Sequence, residues 1–228
     1  MQLLVTHLSL RGWIIATLIR PNKSLYRILK PSAKGVRRYI HPQAWLGGKI
    51  LSPFGIKITR TSFGGVPGVL FSPKISKQQS AIMVFFHGGG YCFGSSLTTH
   101  RLGIALMAKE TGILCYSVDY RLAPENPYPA ALDDAWQAYH QIIQANPNRR
   151  IILSGDSAGG GLALALAMKL RDEKGRLPDD LILFSPWTDL TCRGDSFASK
   201  AKVDPMFTTS MPRDCSHYYA PKGVDMTD

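Results

Sequence analysis

Two stretches of the 228-residue chain have the residue types and spacing for acyl-transfer chemistry. The first is Gly155-Asp156-Ser157-Ala158-Gly159, set between the apolar run Ile151-Ile152-Leu153 and a segment dominated by Ala and Leu that ends near Leu170. The apolar run reads as a buried strand of a parallel sheet, and the following segment as a buried helix. A chain that passes from strand to helix within a few residues must bend sharply, and glycines at 155 and 159 remove the Cβ atoms that would collide there. Ser157, at the apex, is then pushed out with its hydroxyl exposed at a helix N-terminus. That is the setting of a nucleophile elbow, in which the N–H of the next residue, Ala158, faces the developing oxyanion. Gly-x-Ser-x-Gly alone is a weak pattern; its frame of strand and helix gives it meaning.

The second stretch is Phe85-Phe86-His87-Gly88-Gly89-Gly90-Tyr91. Three consecutive glycines let backbone N–H groups turn into a cavity. A tetrahedral acyl intermediate carries its charge on the former carbonyl oxygen and needs such donors. The elbow lies about seventy residues downstream, a spacing that suits two loops of one sheet.

The elements that must position these loops follow from the hydrophobic pattern. Residues 3–19 are apolar but interrupted by His7 and Arg11, which suits an amphipathic helix packed on the protein or lying on a membrane surface better than a spanning one. Pro21 to Pro53 reads as short helical pieces broken by prolines and glycines. IKITRTSF, then Gly-Gly, then VPGVLFSP form a hairpin from Ile56 to Pro73. Ala81–Phe86 is a buried strand. A helix is expected from about Leu97 to Thr111, a strand over Ile113–Val118, a helix from about Ala130 to Ala145, and a last buried strand over Asp180–Phe184. Strands alternating with helices point to an α/β fold with a mostly parallel, doubly wound sheet.

Composition narrows the function classes. An apolar share of 45% with 19% charged residues is that of a globular protein. Cys92, Cys115, Cys192 and Cys215 are scattered, so no metal site or disulfide framework is expected, and a reducing, cytoplasmic compartment is the simpler assignment. The net charge of +11 is uneven: residues 1–109 hold fifteen Lys or Arg and no Asp or Glu. No nucleic-acid module accompanies them, which argues against nucleic acid and leaves two readings, a solvated face or peripheral contact with a membrane through the N-terminal helix.

HGGGYCFGS, SVDYRLAPENPYPAALDDAW, ILSGDSAGGGLA and SPWTDL together resemble the hormone-sensitive-lipase-type esterases (the GDXG family) of the α/β-hydrolase superfamily, from Phe63 to about Asp225. The resemblance implies a carboxylic-ester hydrolase for short or medium acyl esters that needs no cofactor or metal. Ser157 is then the nucleophile, and Gly89, Gly90 and Ala158 are the oxyanion donors. Asp119, Tyr120, Arg121 and Pro124 match a structural segment without assigned chemistry, and His87 supports the glycine loop rather than acting as base. It implies a helical cap over residues 1–55 and a hydrolase domain over residues 56–228, within which residues 191–219 form a second cap segment.

The pattern departs from the family in one respect. The triad of this fold runs Ser, acid, His, with acid and base on loops after later strands. Only His217 follows Ser157. A triad of Ser157, Asp189 and His217 has the right order, but no strand leads into His217 and the resemblance puts it in the cap. The chain therefore reads as an incomplete hydrolase domain lacking triad acid and histidine. The alternative is a non-catalytic remnant that binds acyl ligands or a membrane surface. The residues leave the natural ester and the oligomeric state open.

Overall fold

The computed structural model describes residues 23, 26, 28, 31–74, 80–220, 223 and 224. The expected amphipathic helix over residues 3–19 lies outside them. Six strands form one sheet: β1 (Ile56–Phe63), β2 (Val66–Pro73), β3 (Ala81–Phe86), β4 (Leu114–Val118), β5 (Arg150–Asp156) and β6 (Asp180–Phe184). Their order is β1-β2-β4-β3-β5-β6. The hairpin β1–β2 and the pair β2–β4 are antiparallel, and the remaining pairs are parallel. Helices are α1 (Ala33–Leu51), α2 (Arg101–Thr111), α3 (Ala130–Ala145), α4 (Ser157–Asp172), α5 (Asp195–Ser199) and α6 (Ser210–Tyr219).

β3 shows why its unbroken apolar sequence is needed. Side chains alternate across a sheet, so a strand covered on both faces must be apolar at every position. Ile82, Val84 and Phe86 pack with Tyr139 and Ile142 of α3 and Leu162 and Leu166 of α4. Ala81, Met83 and Phe85 face the other way, onto Ile104, Ala105 and Ala108 of α2. The two layers of helix hold β3 and β5 side by side, and both loops of interest leave from their C-terminal ends.

Three expectations change. The prolines and glycines after Pro21 do not break α1, which runs on through Pro42. Pro42 and Arg38 are both exposed, so the carbonyl deprived of its donor is left to water rather than buried. Helix α2 begins at Arg101 rather than near Leu97. The Thr99 hydroxyl accepts the Ser95 N–H at 3.3 Å, the Ser95 hydroxyl accepts the Thr98 N–H at 3.3 Å, and these local bonds compete with helix formation. Finally, β6 is not buried. It pairs with β5 alone among the described strands, and Leu181, Ile182 and Phe184 are exposed, Phe184 at 47%.

Among the described residues no helix is long and apolar enough to cross a membrane.

Candidate active site

β5 ends at Asp156 and α4 starts at Ser157, with nothing between them. Ser157 has φ +51°, a left-handed conformation that a non-glycine residue adopts at a cost of about 1–3 kcal/mol. Close approach of backbones forces it. A Cβ on Gly155 would collide with the carbonyl oxygen of Gly159, and one on Gly159 with the carbonyl of Phe86, so α4 rests directly on the end of β3. The Ser157 carbonyl accepts the Trp187 N–H at 2.8 Å, which draws the chain after β6 alongside the turn. Ser157 itself is half-buried, and Ala158 is fully buried. As the second residue of α4, Ala158 has an N–H with no acceptor inside the helix.

The glycine loop leaves β3 beside this turn. Gly89 (φ +123°) and Gly90 (φ +58°) take conformations closed or strained to other residues. A Cβ on Gly89 would also strike the Phe93 carbonyl. The Gly89 carbonyl accepts the N–H groups of Cys92 and Phe93, each at 3.0 Å, so the peptide is pinned from the far side. Among the described residues the N–H groups of Gly89 and Gly90 have no hydrogen-bond partner. Gly88 differs: its N–H donates to Asp156 Oδ1 at 2.9 Å. The first glycine of the loop is thus tied to the residue preceding the serine, and the next two are left with free donors.

The support around the loop is extensive. His87 is buried, stacks on Tyr120 with ring centroids 4.5 Å apart, and donates from Nδ1 to the Gly88 carbonyl at 2.8 Å. Tyr120 donates its hydroxyl to the His87 carbonyl at 2.6 Å. Burial, with His100 nearby, lowers the His87 pKa to about 4, so the ring is neutral near pH 7 and its Nδ1–H is spent on the backbone. Asp119 accepts the N–H and hydroxyl of Ser96 at 2.7 and 2.8 Å. Arg121 binds Asp134 through its backbone N–H at 2.8 Å and through Nε at 3.0 Å, and Pro124 follows a cis peptide bond.

Two residues of this network escaped the sequence reading. His100 donates from Nε2 to Asp156 Oδ2 at 3.1 Å, while its Nδ1 meets the Thr99 hydroxyl at 2.7 Å. Burial works against the charge on Asp156, but the bonds from His100 and the Gly88 N–H outweigh it and hold the carboxyl below its usual range. The only signal for Asp156 was its place beside Ser157. His100 had none, because a turn at the start of α2 brings it in from another part of the chain.

The formal Ser157, Asp189, His217 arrangement does not assemble. Asp189 Oδ1 accepts the N–H and hydroxyl of Thr191 at 2.8 and 2.5 Å, and Oδ2 accepts the Arg193 N–H at 3.3 Å. His217 is exposed on α6, with Nδ1 on the Arg213 carbonyl at 2.6 Å. Each is held within its own local turn or helix.

Two helices reach the glycine loop from outside the sheet. From α1, Arg37 donates to the carbonyls of Cys92 and Ala123, each at 2.5 Å, and His41 Nε2 accepts the Gly94 N–H at 3.2 Å. From α6, Tyr219 stacks on Tyr91 with centroids 3.7 Å apart.

A family model described as alpha/beta hydrolase fold matches residues 83–228. An esterase of Acinetobacter venetianus is 38% identical over 155 residues, which is 67% of this chain and 50% of that protein. An acetyl-hydrolase of Streptomyces hygroscopicus is 37% identical over 147 residues, 64% of this chain and 49% of that one. The chain thus spans about half the length of these two curated relatives. The crystal structure of an esterase from the bacterial hormone-sensitive lipase family superposes with a TM-score of 0.84 at 30% identity, over 96% of this chain and 72% of that one.

Proposed function

The chain belongs to the alpha/beta hydrolase fold, in its hormone-sensitive-lipase branch, and from that premise we propose that it carries the nucleophile and oxyanion hole of a carboxylic-ester hydrolase for short or medium acyl esters. The observation that carries this reading is the pair of unpartnered N–H groups at Gly89 and Gly90, on a loop that Asp156 ties to the serine turn. In the reaction, Ser157 Oγ attacks the ester carbonyl carbon and the carbonyl oxygen becomes an oxyanion. The N–H groups of Gly89, Gly90 and Ala158 receive that charge, already oriented and with no reorganisation needed. Collapse of the intermediate expels the alcohol and leaves an acyl-serine, which water then hydrolyses. The segment before β1 and residues 191–219 form the cap over the acyl pocket. The hydrogen bonds of Lys23, in the first of these segments, to the Ala201 and Asp204 carbonyls in the second, at 2.7 and 2.6 Å, support treating the two as one unit.

Both steps need a base: in the first it passes the Ser157 proton to the leaving alcohol, and in the second it takes a proton from water and hands one back to Ser157 Oγ. Among the described residues no histidine hydrogen-bonds Ser157: each ring is engaged elsewhere. A serine hydroxyl without such a partner is a poor nucleophile at neutral pH, although donors and binding alone leave roughly 10³–10⁴-fold over water. Residues 1–228 should therefore hydrolyse p-nitrophenyl acetate slowly, keep that activity in His217→Ala, and carry an acetyl group on Ser157, seen by mass spectrometry, that Ser157→Ala lacks. Unchanged acetylation of Ser157→Ala would remove the nucleophile assignment. Binding of acyl ligands with no turnover would favour the non-catalytic remnant.

A further inference from the structure

The C-terminal end of α1 and the turn into β1 carry an apolar cluster that ester hydrolysis does not use. Trp45, Leu46, Ile50, Leu51 and Phe54 are all exposed, Phe54 at 96% and Ile50 at 70%. Leu46 and Ile50 are one helical turn apart, so their side chains meet on one face, and Phe54 follows within three residues of the helix end. Exposed apolar side chains grouped in this way mark interaction sites. The patch does not hold α1 to the protein. That role falls to the opposite side, where Gly48 is buried against Arg101 and His41 accepts the Gly94 N–H.

The charged residues that α1 carries after Arg37, and those of β1, are all cations. Lys49 Nζ lies 5.2 Å from the Trp45 ring centroid, and Lys57, Arg60 and Arg38 are exposed nearby in sequence. The first 109 residues contain no carboxylate side chain. Exposed Trp and Phe beside aliphatic side chains, in a stretch whose charged residues are Arg38, Lys49, Lys57 and Arg60, complement a surface that presents anionic headgroups over acyl chains. A second copy of this chain would cover the apolar side chains but bring like charges together, which opposes self-association.

We propose that this end of α1 docks on an anionic lipid bilayer surface. Because α1 also grips the glycine loop through His41 and Arg37, docking sets that loop beside the membrane, where acyl esters partition. This last consequence rests on the ester-hydrolase reading; docking itself does not.

The test is co-sedimentation of the full chain with phosphatidylcholine vesicles, with and without about one-third phosphatidylglycerol. Binding is expected only to the anionic vesicles, with release as added salt screens the charges. The double variant Ile50→Ser/Phe54→Ser should bind at least about tenfold more weakly. Lys49→Glu/Lys57→Glu should also weaken binding, and it leaves the apolar side chains intact should the first variant not fold. Ser157→Ala should bind like the parent, which separates failure of docking from failure of the ester-hydrolase reading. No binding to anionic vesicles would overturn the proposal. So would undiminished binding by both double variants with unchanged thermal unfolding, since the contact would then lie elsewhere in the chain. A concentration-dependent dimer abolished by Phe54→Ser would overturn it in favour of a second copy as occupant.

Discussion

Asp156 accepts the Gly88 N–H at 2.9 Å, so the residue that precedes the serine also anchors the first glycine of the oxyanion loop. The two loops behave as one rigid piece because a carboxylate spans them, with His100 completing its coordination. Removing the carboxylate takes the shorter of two acceptors from the Gly88 N–H, leaving His100 Nε2 at 3.2 Å, and takes the acceptor from His100, at a cost of about 1–3 kcal/mol. Asp156→Ala should lower unfolding stability by that amount in urea titration. Asp156→Asn, which keeps an acceptor oxygen, should lose less. Equal losses would show that charge rather than the hydrogen bond matters.

The glycines at 155, 159 and 103 allow a sharper comparison. A methyl group on Gly155 or Gly159 meets backbone, which cannot move aside, so either change to Ala should cost more than about 3 kcal/mol or prevent folding. Gly103 is exposed inside α2 and a Cβ there meets nothing within 4 Å. Gly103→Ala should stabilise by up to about 1 kcal/mol, read as a rise in Tm by calorimetry.

Stability should fall with acid in two separate windows. His87 has its pKa lowered to about 4 by burial first and by His100 second. Between that value and the ordinary histidine range near 6.5, the unfolded chain binds a proton that the folded chain refuses. Stability is therefore complete above about pH 6.5 and declines as pH drops toward 4, by up to about 3 kcal/mol. Asp156, also lowered, adds a loss only further down, as pH falls through its depressed value. Urea unfolding at pH 7.5, 6 and 5, compared with the same series for His87→Gln, checks the first window: the slope between pH 6.5 and 5 should flatten in the variant.

The open side of β6 should limit solubility. Leu181, Ile182 and Phe184 are exposed on a strand paired on one side among the described residues, the arrangement that recruits further strands. Ile182→Lys should reduce light scattering at high protein concentration without lowering Tm. Unchanged scattering would place the aggregation surface elsewhere.

The strand–turn–helix around Ser157, the glycine loop after β3, the hairpin and the parallel α/β order were all legible in the residues alone. Each obeys a short-range rule: strands need apolar runs of a set length, and a tight turn needs glycine where backbones touch. The tertiary structure decided what depends on residues far apart in sequence. His100 reaches Asp156 across 56 positions, α1 continues through Pro42 because the side that loses a hydrogen bond faces water, and β6 stays exposed because a partner on its outer side is not among the described strands. An apolar run shows that a strand wants cover, but whether both faces receive it depends on the neighbours the fold supplies. The same holds for Asp189 and His217, whose order along the chain suits a triad while their local hydrogen bonds keep each within its own turn or helix.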